Sequence, residues 1–360
     1  MAHGNNKLIV GIPFGYWSTN IGNSFFQLGA ETVLSKILPQ GVVRLPDFAG
    51  YCHPGRSLEG RSFNSLTHKA PDVLILVGPF LTPHTMKILG PALERFTNRG
   101  GRIAAIGAGM MDYDLPADFL SQFFERFKFV FISTRDSDTF ARLQPFMGPG
   151  GLHDGIDPAF FISDVAEEYG LTEQGMSATE NKLLAMNLDQ SSARAVLSLR
   201  AFEGSEVLDV AGSRIYARLP NLDGESIIRN HFMRVLRSFS VSHYALGDVS
   251  VVHTEHRFNP YFGRRIYSDR AVFSSDTPEG YLSIYHESDL LITSRVHACV
   301  AATALGTPSM FLSSSPRAAL LERVGIDFSS GQRIEPSELG INSAKSIYIK
   351  ELSGLINEKL

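Results

Sequence analysis

Leu290-Leu291-Ile292-Thr293-Ser294-Arg295-Val296-His297-Ala298 is the stretch on which the reading of the whole chain turns. The apolar run Leu290 to Ile292 reads as a short parallel strand. The Ala-rich run that follows, Val296 to Leu305, closes at Gly306 and Pro308 and reads as a helix. A strand that turns through Ser-Arg-x-His into a helix aims Arg295, His297 and the open N–H groups of the first helical turn at one spot. Anions bind at such spots. A structural account competes with this one: Arg295 pairs with a carboxylate and His297 caps the helix.

Outward from this stretch, the chain alternates strand-like and helix-like segments. In the first half the strands are expected at Lys7–Ile12, Val42–Leu45, Asp72–Val77, Arg102–Ile106 and Phe129–Ser133. Helices are expected at Ser24–Leu38, Met86–Phe96, Leu115–Phe127 and Asp136–Leu143. Pro145 to Gly151 reads as a loop, and the polar, Glu-rich stretch 163–181 as an interdomain linker. A second alternation follows. Its strands are Leu183–Asn187, Arg214–Leu219, Asp248–His253, Ala271–Phe273, Leu290–Ile292 and Ser309–Leu312, and its helices Glu225–Phe239, Pro278–Ser288, Val296–Leu305 and Arg317–Val324. This rhythm predicts an α/β protein of two Rossmann-like, doubly wound domains facing a cleft, over residues 1–170 and 180–340. A last helix within 341–360 is expected to cross back to the first domain.

At 360 residues the chain exceeds one typical core, and 44% hydrophobic residues suit a globular protein. A net charge of −4 without a basic block argues against nucleic acid as a partner. Cys52 and Cys299 are read as reduced thiols. No stretch reaches the roughly 18 apolar residues of a membrane span, and the polar start lacks a secretory h-region. A cytoplasmic protein is expected, acting at most at the inner face of a membrane.

Ligands of open parallel sheets gather at the carboxyl ends of strands, which ranks the candidate groups. After the first strand lies Asn20-Ile21-Gly22-Asn23, where Gly22 permits close backbone approach and the two amides offer donors and acceptors. Asn23 or Ser24 serving only as a helix cap is the alternative. Thr134-Arg135-Asp136-Ser137-Asp138 ends another strand; Arg135 is a candidate anion ligand with Asp136 as helix cap, against an Arg135–Asp138 ion pair. Gly107-Ala108-Gly109 is read as a structural turn. In His253-Thr254-Glu255-His256-Arg257, strand alternation puts residues 253, 255 and 257 on one face, and His256 and Arg257 are read as cleft-wall groups. No convergent metal ligand set is legible, and no Gly-x-Ser-x-Gly elbow supports a covalent hydrolase.

Three ordered blocks resemble the polysaccharide pyruvyl transferase family. They are Asn20-Ile-Gly-Asn23 with Leu28-Gly-Ala30, then Ile132-Ser-Thr-Arg135-Asp136-Ser137, then Ser294-Arg295-Val296-His297-Ala298 with Ala304-Leu-Gly306-Thr-Pro308. Two departures fall in the first half: Asn23 stands where the family loop commonly carries Asp, and Val77-Gly78-Pro79-Phe80 replaces a glycine run.

The resemblance implies a glycosyltransferase B-like fold with phosphoenolpyruvate as donor substrate and no further cofactor. The acceptor it implies is a saccharide or lipid-linked saccharide of a cell-surface polysaccharide, converted to a pyruvyl ketal. Residues 1–170 would face the acceptor and 180–340 the donor, and an oligomer is compatible with either. Arg295 and Arg135 suit the donor's phosphate and carboxylate, and His297 is expected to protonate its methylene carbon as the general acid. Ser294, Asn20, Gly22, Asn23, His256 and Arg257 complete the expected substrate-binding set, without a metal. A nucleotide-sugar glycosyltransferase and a non-catalytic sugar-phosphate-binding protein are the alternatives, since fold does not determine function.

Overall fold

A computed structural model describes residues 8–15, 17, 20–38, 41–45, 71–148, 150–172, 182–188, 196–219, 243–256, 273–275, 277–313, 315–326, 331–338 and 340–360. The first half forms one six-stranded sheet. Its strands are β1 (Val10–Pro13), β2 (Val42–Leu45), β3 (Val73–Val77), β4 (Arg102–Ala108), β5 (Phe129–Thr134) and β6 (Leu152–Asp154). They lie in the order β2-β1-β3-β4-β5-β6, every pairing parallel. The continuous apolar runs are explained by burial on both faces: Val73 and Ile75 of β3 join one core cluster, Leu74 and Leu76 the other. β6 is absent from the sequence reading, because three residues with a polar His153 and Asp154 at a sheet edge carry little hydrophobic signal.

Helices α1 (Gly22–Ile37), α2 (Pro83–Ile88), α3 (Gly90–Thr97), α4 (Ala117–Arg126) and α5 (Ser137–Leu143) connect these strands. The single helix expected over Met86–Phe96 is two, divided at Leu89. Pro91 causes the break, since its ring cannot follow a preceding helical turn and Thr82 supplies a separate cap for α2. The Glu-rich stretch expected to be linker begins instead as a helix, α6 (Ile162–Glu168), with Ile162, Val165 and Ala166 buried at helical spacing. Its Asp164 is held by Lys36 and Lys345.

The second half adds β7 (Lys182–Asn187), β8 (Val196–Ser198), β9 (Glu206–Val210), β10 (Ser213–Arg218), β11 (His243–Leu246), β12 (Val249–His253), β13 (Leu290–Thr293), β14 (Ser309–Phe311) and β15 (Arg333–Ile334). Six of them form a sheet ordered β11-β12-β7-β13-β14-β15, parallel inside and antiparallel at both edges. The segment Arg214–Leu219, expected within the parallel alternation, lies in a separate antiparallel sheet, β8-β10-β9. Leu208, Val210, Ile215 and Ala217 of that small sheet share a core with Leu184, Met186, Leu290 and Ile292. The expected helix Glu225–Phe239 lies outside the described residues, as do Ala271 and Val272 of another expected strand. Helices α7 (Glu279–Glu287) and α8 (Val296–Ala304) follow, and the expected helix after Arg317 is a 3₁₀ helix, Pro316–Val324.

One core runs between the two large sheets. It joins Phe25, Leu28 and Val33 of α1, Phe160 and Phe161 of the turn Pro158–Phe161, the buried residues of α8, and Tyr348, Leu352 and Ile356 of the last helix, α9 (Ile341–Lys359). α9 lies along the first sheet: Glu351 meets His153 at 3.1 Å, and the carbonyl of Leu360 accepts a 2.8 Å hydrogen bond from Arg102. The approach of α1 to the turn at Pro158 depends on Gly29, where a Cβ would fall 1.9 Å from the Pro158 carbonyl oxygen. Backbone cannot yield there as a side chain can. Gly29→Ala is expected to lower stability by about 3 kcal/mol, read as a fall in the urea midpoint with an unchanged slope.

Candidate active site

Both large sheets reverse their strand order beside the first strand laid down, β1 in one and β7 in the other, and such points open a crevice at the carboxyl ends of the strands. A cleft of about 440 Å³ lies there. One wall carries Pro13 and Phe14 at the end of β1, Leu76 and Val77 at the end of β3 with Phe80 beyond it, and Phe26 of α1, with Asn20, Asn23 and Gln27 as its amides. The other wall carries Arg135, Arg295, Arg317, His256 and His297. Among the described residues no Asp or Glu lines the cleft, so its polar wall is cationic.

Arg135 stands at the end of β5 with its N–H donated to the Ala108 carbonyl, and it is almost wholly buried. Its Nη1 donates to Asp157 Oδ2 at 3.1 Å. Asp136 caps α5 by accepting from the Thr139 N–H at 2.7 Å, as expected, whereas Asp138 is exposed and takes no part. The competing Arg135–Asp138 pair therefore does not form: Arg135 pairs with Asp157, beyond β6, and its Nε lies 3.9 Å from Asp136 Oδ2. Asp157 itself is fully buried, and its Oδ1 accepts from the Ala159 N–H at 2.8 Å.

His297 reaches across from the first turn of α8. Its Nε2 lies 3.3 Å from Asp157 Oδ2 and 3.5 Å from Arg135 Nη1, and its ring packs 5.1 Å from that of Phe26. It does not cap its own helix. Arg295 occupies the cap position in extended conformation, its N–H on Thr293 Oγ1 at 2.9 Å. Ser294 does not line the cleft: it is buried just past β13, and its N–H donates to the Asn187 carbonyl at 2.9 Å.

His256 is buried, with Nε2 2.7 Å from the Tyr285 hydroxyl, which also receives the Asn187 amide at 3.0 Å. The expected alternation over residues 253–257 fails because β12 ends at His253, and Thr254, Glu255 and His256 are all buried. Arg257 lies outside the described residues. The Ile21 N–H donates to the His256 carbonyl at 2.8 Å, tying the Asn20–Asn23 loop to the opposite wall. At Gly22 a Cβ would lie 3.3 Å from both His256 Nδ1 and His297 Cβ, so the glycine lets α1 start between the two imidazoles.

Sequence reasoning missed two groups. Asp157 was hidden in an apolar run, although a charge in such a run needs a buried partner. Arg317 had been read only as the start of a helix; it lines the cleft, and its Nη2 donates to the Met111 carbonyl at 3.3 Å.

Burial lowers the pKa of His297, and the charges of Arg135 and Arg317 push the same way against the raising influence of Asp157. That direction favours the neutral imidazole. Burial alone would raise Asp157, but its hydrogen bond to His297 and the Arg135 charge hold it below the usual carboxylate range. Burial, then Arg135 and Arg295, likewise lower Arg317. Among the described residues no cluster of His, Cys, Asp or Glu could hold a metal ion, and no helix is long and apolar enough to cross a membrane.

The family model of polysaccharide pyruvyl transferase matches residues 20–316. The chain belongs to that family. The match takes in residues of both walls, leaving out Pro13 and Phe14 at one end and Arg317 at the other. Among curated proteins no sequence match is found. Solved structures similar in fold include the UDP-GlcNAc 2-epimerase from Neisseria meningitidis bound to UDP-GlcNAc, at 12% identity, with 96% of this chain and 99% of that chain covered and a TM-score of 0.50. The UDP-N-acetylglucosamine 2-epimerase from Rickettsia bellii is similar at 9% identity, 98% and 97% coverage and a TM-score of 0.50. These likenesses establish a glycosyltransferase B-like fold of Rossmann-like halves.

Stability is expected to fall on acidification in two windows. Unfolding returns His297 to its ordinary value of 6.5, so below that pH the unfolded chain binds the proton first and stability drops. Asp157 stabilises above its ordinary value of 3.8, and that contribution is lost as pH falls through the lower folded value. Urea unfolding between about pH 7 and 5 should flatten in His297→Gln, which removes only the first window.

Proposed function

We propose that the protein transfers the pyruvyl group of phosphoenolpyruvate to two hydroxyls of a sugar, closing a ketal and releasing phosphate. The observation that carries this reading is the convergence of Arg135, Arg295, Arg317 and His297 on a cleft without acidic lining. Phosphoenolpyruvate is a small molecule with two anionic groups, and a guanidinium offers each a planar, two-pronged set of donors. Arg295 and Arg317 suit the phosphate. Arg135, fixed in place by Asp157, suits the carboxylate.

His297 is then the general acid. The donor carbon bearing the phosphate becomes electrophilic when its methylene is protonated, and an imidazole is the side chain able to carry that proton near neutrality. A sugar hydroxyl adds to that carbon, phosphate leaves, and a neighbouring hydroxyl closes the ring. The opposite wall suits the acceptor: Asn20, Asn23 and Gln27 offer hydrogen bonds to hydroxyls, while Phe14, Phe26 and Phe80 offer apolar surface to the C–H face of a pyranose. The acceptor is a saccharide or lipid-linked saccharide of a cell-surface polysaccharide, met in the cytoplasm at the inner face of the membrane.

Incubation with phosphoenolpyruvate and candidate glycans tests the reading through coupled phosphate release and a pyruvyl mass gain on the sugar. Turnover of a nucleotide sugar with none of phosphoenolpyruvate would overturn it. Arg295→Ala and Arg317→Ala are each expected to weaken donor binding by about 1.5–3 kcal/mol, roughly ten- to a hundredfold. His297→Ala should abolish transfer while still binding the donor.

A further inference from the structure

His297 is placed where its charge must change with its surroundings. Nε2 faces Asp157 Oδ2 at 3.3 Å, a contact that requires the ring hydrogen on Nε2, so Nδ1 is the nitrogen left for the cleft. Arg135 Nη1 stands 3.5 Å from the same Nε2, and two donors at that distance repel rather than bond. Arg317 faces the ring from the turn after β14, Arg295 lies two residues before it, His256 stands beyond Gly22, and α1 presents only the uncharged Phe26 and Gly22. Asp157 is the one carboxylate touching the ring among the described residues, and it shares Arg135 with Asp136, whose Oδ2 lies 3.9 Å from Arg135 Nε. A positive charge on His297 is opposed by those of Arg135 and Arg317, and an anion held by the arginines offsets that opposition.

We propose that donor binding loads the catalytic proton: His297 takes up a proton from solvent when an anion settles against the arginines, and Asp157 is the positioning residue that holds Nε2 and directs the new N–H at Nδ1 toward the ligand. The proposal rests on the reading above for the identity of that anion. The balance is complete. The Nδ1 proton passes to the donor methylene, whose C=C electron pair forms the new C–H bond while the first hydroxyl oxygen bonds to the neighbouring carbon. That hydroxyl's proton returns to Nδ1. The C–O bond to phosphate breaks, the second hydroxyl closes the ketal, and its proton leaves with the phosphate. Departure of phosphate restores the neutral imidazole and returns the loaded proton to solvent.

The lowered pKa of the imidazole agrees with this geometry. Titration calorimetry in buffers of different ionisation enthalpy measures the proton directly, with phosphoenolpyruvate and separately with sulfate, which has no titratable proton of its own. At about pH 7.5, above a phosphate monoester's second ionisation near 6, uptake of about half a proton or more per site is expected. His297→Gln should abolish the uptake. Asp157→Asn retains the acceptor for the Ala159 N–H, and it should sharply reduce the uptake and lower the acid limb of the kcat profile. Binding of both anions without net uptake by the wild-type protein overturns proton loading and leaves the donor assignment standing. Uptake with sulfate but no binding of phosphoenolpyruvate overturns the donor assignment and leaves proton loading standing, and failure to bind either overturns both.

Discussion

The contact among Arg135, Asp157 and His297 is the constraint around which the rest of the site is arranged. It puts a carboxylate with no solvent exposure between a guanidinium from one sheet and an imidazole from the other. Removing Arg135 would leave the buried carboxylate without its cation, a change that typically costs about 3–5 kcal/mol. The contact therefore couples the relative position of the two halves to the electrostatics of the cleft. Chemistry and architecture draw on the same three side chains.

The sheet orders serve that contact. Each sheet places its crevice beside the strand that enters first, and the shared core of α1, the turn Pro158–Phe161 and α8 brings the two crevices face to face. The resulting division of surface, apolar and amide-bearing on one side and cationic on the other, matches a reaction joining a neutral hydroxylated partner to a small anion. The likeness to UDP-sugar epimerases is one of fold, and the residues that line this cleft determine its ligand.

Much of the fold was legible because buried parallel strands write themselves as unbroken apolar runs, as at Asp72–Val77 and Leu290–Ile292. The small antiparallel sheet and β6 were not, since short edge strands with polar residues leave no such trace. In the site, Arg135, Arg295 and His297 could be found at strand ends, and the structure brings all three to the cleft. Ser294 could not be excluded from its neighbours by sequence, because burial just past a strand depends on where the strand ends. Asp157 lies 140 residues from His297, and nothing local in Ile156-Asp157-Pro158 says which cation will reach it. Pairings of that span belong to the packing of the two halves.

That packing bears on how the molecule is made. Tyr348, Leu352 and Ile356 complete a core that begins with Val10 and Ile12, so the first sheet emerges during synthesis with part of its apolar surface still bare. That part of the core closes only when residues 348–356 have been made. Loop closure over such a distance is slow, and the exposed surface in the interval is open to aggregation. A helix late in the sequence thus finishes what the first strand begins.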